Sequence, residues 1–459
     1  METAQNPLGT GKISKLLFKF SLPSVIAMLV SSLYNIVDQI FIGQGMGYLG
    51  NGATTVAFPF TTIGLALALL LGVGSAANYS LFLGRREKEE AARTVGAGFS
   101  FMIVAGLLYL FFGQVLMNLL LPAFGATAEN YAYAQEYSRI ILIGMPFLIL
   151  GNGISQLARA DGSPNFSMMI MIVGAVINCV LDPLFIFGFG WGMAGAAWAT
   201  IIGQIATVLV GLWYLPRFRQ IRLEKKDFRL RTAYLQKICS VGASASLNQV
   251  TILVVQIVLN NLFKHYGALS EYGANIPIAA SGVAFKLNGI YISVLVGIGQ
   301  GAQPILGFNY GAQQYDRVKK CLKLAMLSVI VLGSCVELLF QFFPEPLLDL
   351  FGQGDALYTQ FGVRMLRINM ACICIQGVQA LGSNYFAAIG QAAKGVFLSV
   401  TRSILFYLPL VFLFPALWGV EGMLFAQPIA DALSVVVALI MIFFSFRQMN
   451  RLAKAKAAA

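Results

Sequence analysis

Apolar stretches of about 20 residues recur along almost the whole chain, and they constrain its fold more than any other feature. An α-helix of that length spans the roughly 30 Å hydrocarbon core of a bilayer. Hydrophobic residues make up 58% of the 459 residues and charged residues 11%, whereas soluble domains carry about 25% charged residues. The sequence therefore predicts a polytopic membrane protein. The stretches lie near residues 15–42, 52–80, 92–120, 135–158, 166–188, 195–215, 238–263, 278–305, 321–343, 362–388, 395–416 and 421–446.

The length of these stretches predicts an all-α fold with twelve transmembrane helices. Backbone polar groups in lipid must be satisfied within a helix or a closed barrel, and the strand-and-turn pattern of an outer-membrane barrel is missing from the sequence. The 47 glycines suit helices that pack closely through small residues. The first stretch is long and has no small-residue cleavage site, which predicts a retained helix rather than a removable signal peptide.

Lysine and arginine are distributed unevenly between alternate loops, and this bias predicts the orientation. Twenty-five of them lie in the N-terminal segment, the C-terminal segment and the loops on that side, and four lie in the other loops. Basic residues in short loops resist translocation, so both termini are expected in the cytoplasm. The net charge of +12 follows from this bias and favours anionic lipid headgroups, so no nucleic-acid partner is expected.

A weak internal repeat divides the chain into two halves of six predicted helices. At offsets of 225 to 228 residues, Gly72–Ala77 matches Gly297–Ala302, and Trp191–Gly195 matches Trp418–Gly422. An even number of helices per half makes the repeats parallel and relates them by an axis along the membrane normal. We expect an N-lobe of residues 1–220 and a C-lobe of residues 221–459, with 217–237 as a basic cytoplasmic linker. Such a duplication suits a transporter, although it also serves stability alone.

The sequence lacks the residues that several kinds of functional site require. The single histidine, His265, and the six dispersed cysteines have no metal-ligand spacing, so zinc catalysis and a disulfide framework are not expected. The segment Gly9–Lys12 lacks both the spacing and the following Ser/Thr of a phosphate-binding loop. We therefore expect neither ATP binding nor a cofactor.

Two carboxylates stand well inside apolar stretches of the first half. Asp38 lies toward the outer end of the first predicted helix and Asp182 in the fifth. A carboxylate at mid-bilayer costs about 2.5 to 3.5 kcal/mol, so such residues usually serve function. The alternative is that both acids hydrogen-bond neighbouring helices as packing contacts.

Polar residues surround Asp182 at helical spacing. Asn178 precedes it by four residues and shares its helix face, and Pro183 removes a backbone donor and bends the helix. In the next helix Ala196 and Thr200 repeat the four-residue spacing. These oxygens, with Asp38, favour a Na⁺ ion or one shared proton.

Weaker candidates for a polar substrate cavity are dispersed over both halves. Lys286, Arg402, Glu337 and Asp431 also fall inside predicted helices, where they pair, snorkel or face a cleft. The candidate cavity residues are Tyr34, Asn35, Gln249, Gln256, Lys286, Asn288, Tyr291 and Gln376.

Four motifs make the chain similar to multidrug and toxic compound extrusion (MATE) transporters. They are Leu181–Pro183, Gly192–Thr200, Gly299–Pro304 and Asn309–Ala312. The likeness extends over nearly the whole chain, and the second-half motifs resemble the staphylococcal MepA-like branch. It implies a monomeric bacterial plasma-membrane antiporter that exports amphipathic, mainly cationic drugs and dyes in exchange for Na⁺ or H⁺.

The resemblance also implies roles for individual residues. In this family an acid of the first helix joins an Asn, an Asp four residues later and a Thr eighteen residues after that to bind the coupling cation. It thus implies a site, with possible Na⁺, formed by Asp38, Asn178, Asp182 and Thr200, with the carbonyl of Ala196 as an extra ligand. It further implies that Pro23 is a bending point of the first helix. Some members place coupling acids in the seventh and tenth helices, but 238–263 and 362–388 contain none.

Two other functions remain as alternatives. A lipid-linked oligosaccharide flippase of the same superfamily needs a cationic cleft for pyrophosphate, to which only Lys286 and Arg402 would contribute. An intramembrane aspartyl protease would use two membrane aspartates, but the residues before Asp182 do not form a GxGD motif. The sequence therefore favours a transporter and not an enzyme.

Overall fold

The computed structural model describes residues 6–124, 126, 130–273, 275–349 and 356–458. Within these ranges the regular elements are all helices, which confirms the all-α prediction. The first six long helices, here called the N-lobe, are α1 Ile13–Gly47, α2 Leu49–Gly84, α3 Lys88–Ala123, α4 Tyr131–Ala160, α5 Pro164–Gly188 and α6 Gly192–Arg217.

The second half, here called the C-lobe, contains six further helices over its described residues. Ten helices of the described chain are long and apolar enough to cross a membrane, and one bent pair makes an eleventh. A break at Trp418 and Gly419 divides the last stretch into α11 and α12 and gives twelve. The C-lobe helices are α7 Thr232–Ala268, α8 Ile276–Gly311, α9 Tyr315–Phe342, the bent pair α10 of Ala356–Asn369 and Ile373–Ala388, and α11 (392–417) and α12 (420–455) within Ala392–Ala455.

Breaks between consecutive helices occur at glycines with left-handed backbone angles. Gly47, between α1 and α2, has a φ of 66°, and Gly419, between α11 and α12, has a φ of 64°. Side chains disfavour these angles, so glycine permits a sharp turn without a long loop. The helix α1 runs through Pro23 with helical dihedral angles. A wide π-turn, Leu184–Gly188, follows Pro183, as expected where proline removes a backbone hydrogen bond.

The two lobes meet through glycines in the helix halves that are predicted to lie toward the cytoplasm. A Cβ atom on Gly242 of α7 would lie 1.8 Å from the carbonyl oxygen of Leu70 of α2, and one on Gly84 of α2 would lie 2.1 Å from the carbonyl oxygen of Phe308 of α8. Only glycine permits such close backbone contact. Farther out along α8, a Cβ on Gly289 would meet no described atom within 4 Å. The lobes therefore close at the predicted cytoplasmic end and leave open space beside the outer half of α8.

The start of α1 packs in the C-lobe core rather than among the N-lobe helices. Leu16, Leu17 and Phe20 belong to the same buried cluster as residues of α8 and α9. Asp38, by contrast, lies in the half of α1 that joins the N-lobe. One helix thus connects the contact between the lobes with the polar interior of the N-lobe.

Candidate functional site: a polar cavity in the N-lobe

Close packing of α5 against α6 places their polar side chains opposite each other. A Cβ atom on Gly203 of α6 would lie 2.6 Å from the carbonyl oxygen of Gly174 of α5. Asn178, one turn beyond Gly174, therefore faces Thr200, one turn before Gly203. Asp182 follows Asn178 by one more turn and ends the regular helix before the π-turn. Backbone contact between small residues thus sets the geometry of the site.

Hydrogen bonds join these side chains into one cluster. The Nδ2 of Asn178 donates to Oδ1 of Asp182 at 3.1 Å and to Oγ1 of Thr200 at 3.3 Å. The hydroxyl of Thr200 donates to the carbonyl oxygen of Ala196 at 3.1 Å. The carboxyl groups of Asp38 on α1 and Asp182 are close enough to interact electrostatically. All five predicted site residues are therefore brought together.

Four oxygen atoms around this cluster are buried and have no hydrogen-bond donor among the described residues. They are Oδ1 of Asp38, Oδ1 of Asn178, Oδ2 of Asp182 and Oε1 of Gln204. A buried acceptor without a donor costs about 1 to 3 kcal/mol, and a buried charge costs more. Two carboxylates in contact also repel each other unless a proton or a cation lies between them. Orphaned oxygens from three helices therefore fit a hard monovalent cation or a shared proton.

A cavity of about 70 Å³ adjoins the cluster. Tyr34 of α1 lines it together with Asn178, Thr200 and Gln204. A water molecule needs about 10 to 15 Å³ of such space, so the cavity has room for a few waters or one small cation. It is too small for a drug molecule.

Gln204 and Tyr137 were not expected at this site from the sequence. Gln204 lies four residues after Thr200, so helical spacing on α6 was a signal for it. Tyr137 of α4 is buried within electrostatic range of both Asp38 and Asp182. How close Tyr137 comes to the two carboxylates depends on the packing of α4, for which the sequence gives no local signal.

The predicted cavity residues of α1 and α7 have different surroundings. Tyr34 lines the N-lobe cavity, whereas the exposed amide of Asn35 donates to the carbonyl oxygen of Ser31 at 2.6 Å. On α7, Gln249 and Gln256 are half-buried. Their role in binding a substrate stays a prediction.

The remaining predicted cavity residues lie on α8 and α10. Asn288 and Gln376 are buried, and Oδ1 of Asn288 and Oε1 of Gln376 have no donor within the described part of the chain. Lys286 is exposed. The hydroxyl of Tyr291 donates to the carbonyl oxygen of Ile373 at 2.9 Å and is thus used inside the C-lobe. Orphaned amide oxygens favour a binding role for Asn288 and Gln376 over one for Tyr291.

Two lobes of six helices, one of which holds two carboxylates beside a polar cavity, define the class of duplicated membrane transporters. The chain matches the MatE family over residues 23–184 and 245–413, and it belongs to that family. This match confirms the resemblance to MATE transporters found in the motifs.

Similar proteins cover nearly the whole chain. The multidrug export protein MepA of Staphylococcus aureus (strain NCTC 8325 / PS 47) is 26% identical over 433 residues, which are 94% of each chain. MepA of Staphylococcus saprophyticus is 25% identical over 441 residues, again 94% of each chain.

Solved structures share the fold. A multidrug resistance MATE family transporter of the MOP superfamily in an outward-facing conformation superposes with a TM-score of 0.91 at 23% identity, over 98% of this chain and 100% of that chain. A MOP superfamily transporter from Pyrococcus furiosus gives the same TM-score, identity and coverage.

Proposed function

We propose that this protein is a secondary active multidrug exporter of the bacterial plasma membrane, with both termini in the cytoplasm. It exports amphipathic, mainly cationic compounds in exchange for Na⁺ or H⁺, which binds between Asp38 and Asp182. Its similarity to the MepA exporters supports multidrug transport. The four orphaned oxygens around the Asp38–Asp182 cluster carry the proposal of cation coupling.

Binding of the cation removes the repulsion between the two carboxylates. The acid on α1 and the acid on α5 attract each other only through a shared proton or ion, so the loaded state holds α1 against α5. A cation shifts the transporter toward the conformation that binds it more tightly. We infer that this is the outward-facing conformation, in which the drug leaves.

The helix α1 connects this site to the contact between the lobes. A Cβ atom on Gly297 of α8 would lie 2.6 Å from Cα of Val25, and one on Gly301 would lie 2.5 Å from Cα of Ser21. A movement of α1 at Asp38 therefore changes the contact with α8. Drug and cation then weaken each other's binding, because linkage is reciprocal.

Dye efflux from proteoliposomes tests the proposal. A fluorescent cationic dye is followed under an imposed Na⁺ or H⁺ gradient for wild type, Asp38→Asn and Asp182→Asn. Coupling energies of 1 to 3 kcal/mol correspond to 5- to 150-fold effects, so we expect gradient-driven efflux to fall by at least about fivefold in both variants. The gradient that drives wild-type efflux identifies the coupling ion.

A matched control separates loss of coupling from loss of a negative charge. The exposed carboxylate of Asp316 on α9 pairs with Lys319 at 2.7 Å, and Asp316→Asn removes the same charge far from the cavity. This variant should retain wild-type efflux. Undiminished gradient-driven efflux in Asp38→Asn and Asp182→Asn would show that the two carboxylates are packing contacts.

A further inference from the structure

The C-lobe contains an ion pair with a buried carboxylate where the repeat predicts a cavity. The Nε of Arg402 on α11 donates to Oδ1 of Asp431 on α12. Asp431 is 1% exposed, and the hydroxyl of Ser434 donates to its carbonyl oxygen at 2.9 Å. Neither oxygen of the Asp431 carboxylate is a buried acceptor without a donor in the described chain, in contrast to the N-lobe acids.

Glycines with positive φ mark corresponding positions in the two lobes. Gly162 and Gly390 precede α5 and α11 with φ of 89° and 78°, and Gly192 and Gly419 precede the main body of α6 and α12 with φ of 54° and 64°. The distance between the two glycines is 30 residues in the N-lobe and 29 in the C-lobe. The repeats can therefore be compared to within one residue.

In the aligned repeats, the two residues of the ion pair correspond to residues that line the N-lobe cavity. Arg402 follows Gly390 by twelve residues, as Gly174 follows Gly162. Asp431 follows Gly419 by twelve residues, as Gln204 follows Gly192. Both Gly174 and Gln204 line the cavity beside Asn178 and Thr200. The two residues of the ion pair thus align with the lining of the N-lobe cavity that adjoins the carboxylates.

The oxygen ligands that α5 contributes in the N-lobe have no equivalents on α11. The residues that align with Asn178 are Leu405 or Phe406, and those that align with Asp182 are Pro409 or Leu410. Hydrocarbon replaces an amide and a carboxylate on α11. The one buried carboxylate on α12 keeps its charge through the guanidinium that faces it.

We propose that Arg402 is a tethered cation that permanently fills the C-lobe counterpart of the N-lobe cavity beside the cation site. It thereby restricts exchange of Na⁺ or H⁺ to the N-lobe. This inference rests on the proposed coupling function of the N-lobe. Without the guanidinium, Asp431 is a buried carboxylate that takes up a soluble cation or a proton, because an isolated buried charge is strongly unfavourable.

Several groups face Asp431 and belong to the predicted new site. Besides Arg402, they are Tyr407 of α11, Tyr291 of α8 and Cys372 at the bend of α10, all within electrostatic range. Glu337 of α9 lies within the same range of Tyr291 and Cys372. It adds negative charge to this region, which favours a cation further.

The experiment measures cation binding at equilibrium in protein whose N-lobe site has been removed. Purified Asp38→Asn/Asp182→Asn protein serves as background, and binding is followed with radioactive ²²Na⁺ and by proton uptake during a pH titration. Adding Arg402→Gln should create uptake of about one Na⁺ or proton per molecule. Uptake should disappear when Asp431→Asn is added as well. Arg402→Lys, which retains a tethered cation, should bind no more than the background does.

The same assay separates this inference from the proposed function. Wild type should lose one site on Asp38→Asn/Asp182→Asn, which tests the N-lobe alone. If wild type loses nothing but Arg402→Gln gains a site, the N-lobe proposal fails and the tethered cation stands. A folded Arg402→Gln protein that gains neither Na⁺ nor a proton overturns the tethered cation.

Folding of the variant is checked by its unfolding temperature. A bound cation stabilises the state that binds it, so Arg402→Gln and the more apolar Arg402→Met should unfold at higher temperature as Na⁺ or proton concentration rises. The double variant Arg402→Gln/Asp431→Asn should not respond. Failure of both single variants to fold at every Na⁺ concentration and pH also overturns the inference.

Discussion

At the scale of single residues, Gln204 distinguishes the N-lobe cavity from a packing contact between two acids. The residue lines the cavity with Asn178 and Thr200, and its Oε1, which packs against Gly144 of α4, is buried without a donor among the described residues. An amide placed only for packing would satisfy its acceptor, because a buried orphan costs about 1 to 3 kcal/mol. The unsatisfied Oε1 of Gln204 is therefore an acceptor suited to a cation or an ordered water.

Substitution of Gln204 tests that assignment. We expect Gln204→Leu to weaken the apparent affinity for the driving cation by about tenfold, since about 1.4 kcal/mol corresponds to a factor of ten. Maximal efflux should change little, because Asp38 and Asp182 remain. The measurement is dye efflux against Na⁺ or H⁺ concentration. Gln114→Leu on α3, whose exposed amide donates to a backbone carbonyl, is the control, and an unchanged affinity in Gln204→Leu would exclude a cation ligand there.

At the scale of elements, one buried carboxylate fixes the basic linker to the N-lobe. Asp161, between α4 and α5, accepts hydrogen bonds from the hydroxyls of Tyr79 at 2.5 Å and Tyr214 at 2.8 Å. It also accepts from the backbone nitrogens of Arg219 at 2.7 Å and Gln220 at 3.3 Å. Burial raises the pKa of Asp161 above its usual range, although these hydrogen bonds oppose the shift.

The raised pKa predicts how the stability contributed by Asp161 depends on pH. Because the folded protein holds this proton more tightly than the unfolded chain, the contribution is largest below about pH 3.9, the pKa of an unperturbed Asp. It declines as pH rises through the folded-state pKa. The difference in unfolding free energy between wild type and Asp161→Asn should therefore fall from pH 4 upward. Chemical unfolding in detergent at several pH values measures it, and a difference that grows with pH would contradict the prediction.

A smaller change at the same place serves as its control. Tyr214→Phe keeps the ring that stacks on Phe166 but removes one hydroxyl donor. We expect a loss of about 1 kcal/mol, as for a typical hydrogen bond. A loss as large as that in Asp161→Asn would show that the single hydroxyl of Tyr214, and not the full set of donors to the carboxylate, holds the linker.

Glycine contacts between α2, α7 and α8 give a second prediction at this scale. Gly242→Ala places a Cβ atom 1.8 Å from the carbonyl oxygen of Leu70, which separates the lobes at the predicted cytoplasmic end. We expect a lower unfolding temperature and loss of most dye efflux. Gly289→Ala, where a Cβ meets no described atom within 4 Å, should be neutral or stabilising by about 0.5 to 1 kcal/mol because alanine favours helix. Equal effects of the two substitutions would rule out a specific lobe contact.

At the scale of the whole molecule, the sequence predicts what depends on one helix or on the repeat. The length of the apolar stretches predicts the twelve helices, and the four-residue spacing of Asn178 and Asp182 places them on one face of α5. Contacts between distant helices leave no such pattern. The pairing of Arg159 with Gln300 joins residues 141 positions apart, and nothing near either residue indicates its partner. The packing of Phe20 in the C-lobe core was missed for the same reason, because it depends on how whole helices cross.

Arg159 and Gln300 form a polar contact that belongs to the whole molecule, since it joins the two lobes. Arg159 ends α4 of the N-lobe and is 2% exposed. One terminal nitrogen donates to Oε1 of Gln300 of α8 and to Oε1 of Gln156, both at 2.7 Å, and the other donates to Oγ of Ser167 at 3.0 Å. Only the bond to Gln300 must break when the lobes separate at the predicted cytoplasmic end.

Removing that bond should therefore shift the equilibrium toward an inward-open form. Gln300→Leu loses about 1 kcal/mol that only the closed form gains, which changes the ratio of the two forms about fivefold. Ser167→Ala removes a hydrogen bond to the same guanidinium within the N-lobe, so both forms lose it equally. Spin labels on cysteines at the exposed positions Lys88 and Arg451, in protein without its six native cysteines, report the distance between the cytoplasmic ends of the lobes. Longer distances should gain population in Gln300→Leu and not in Ser167→Ala, and an equal gain in both variants would mean that Arg159 supports the N-lobe alone and does not hold the lobes together.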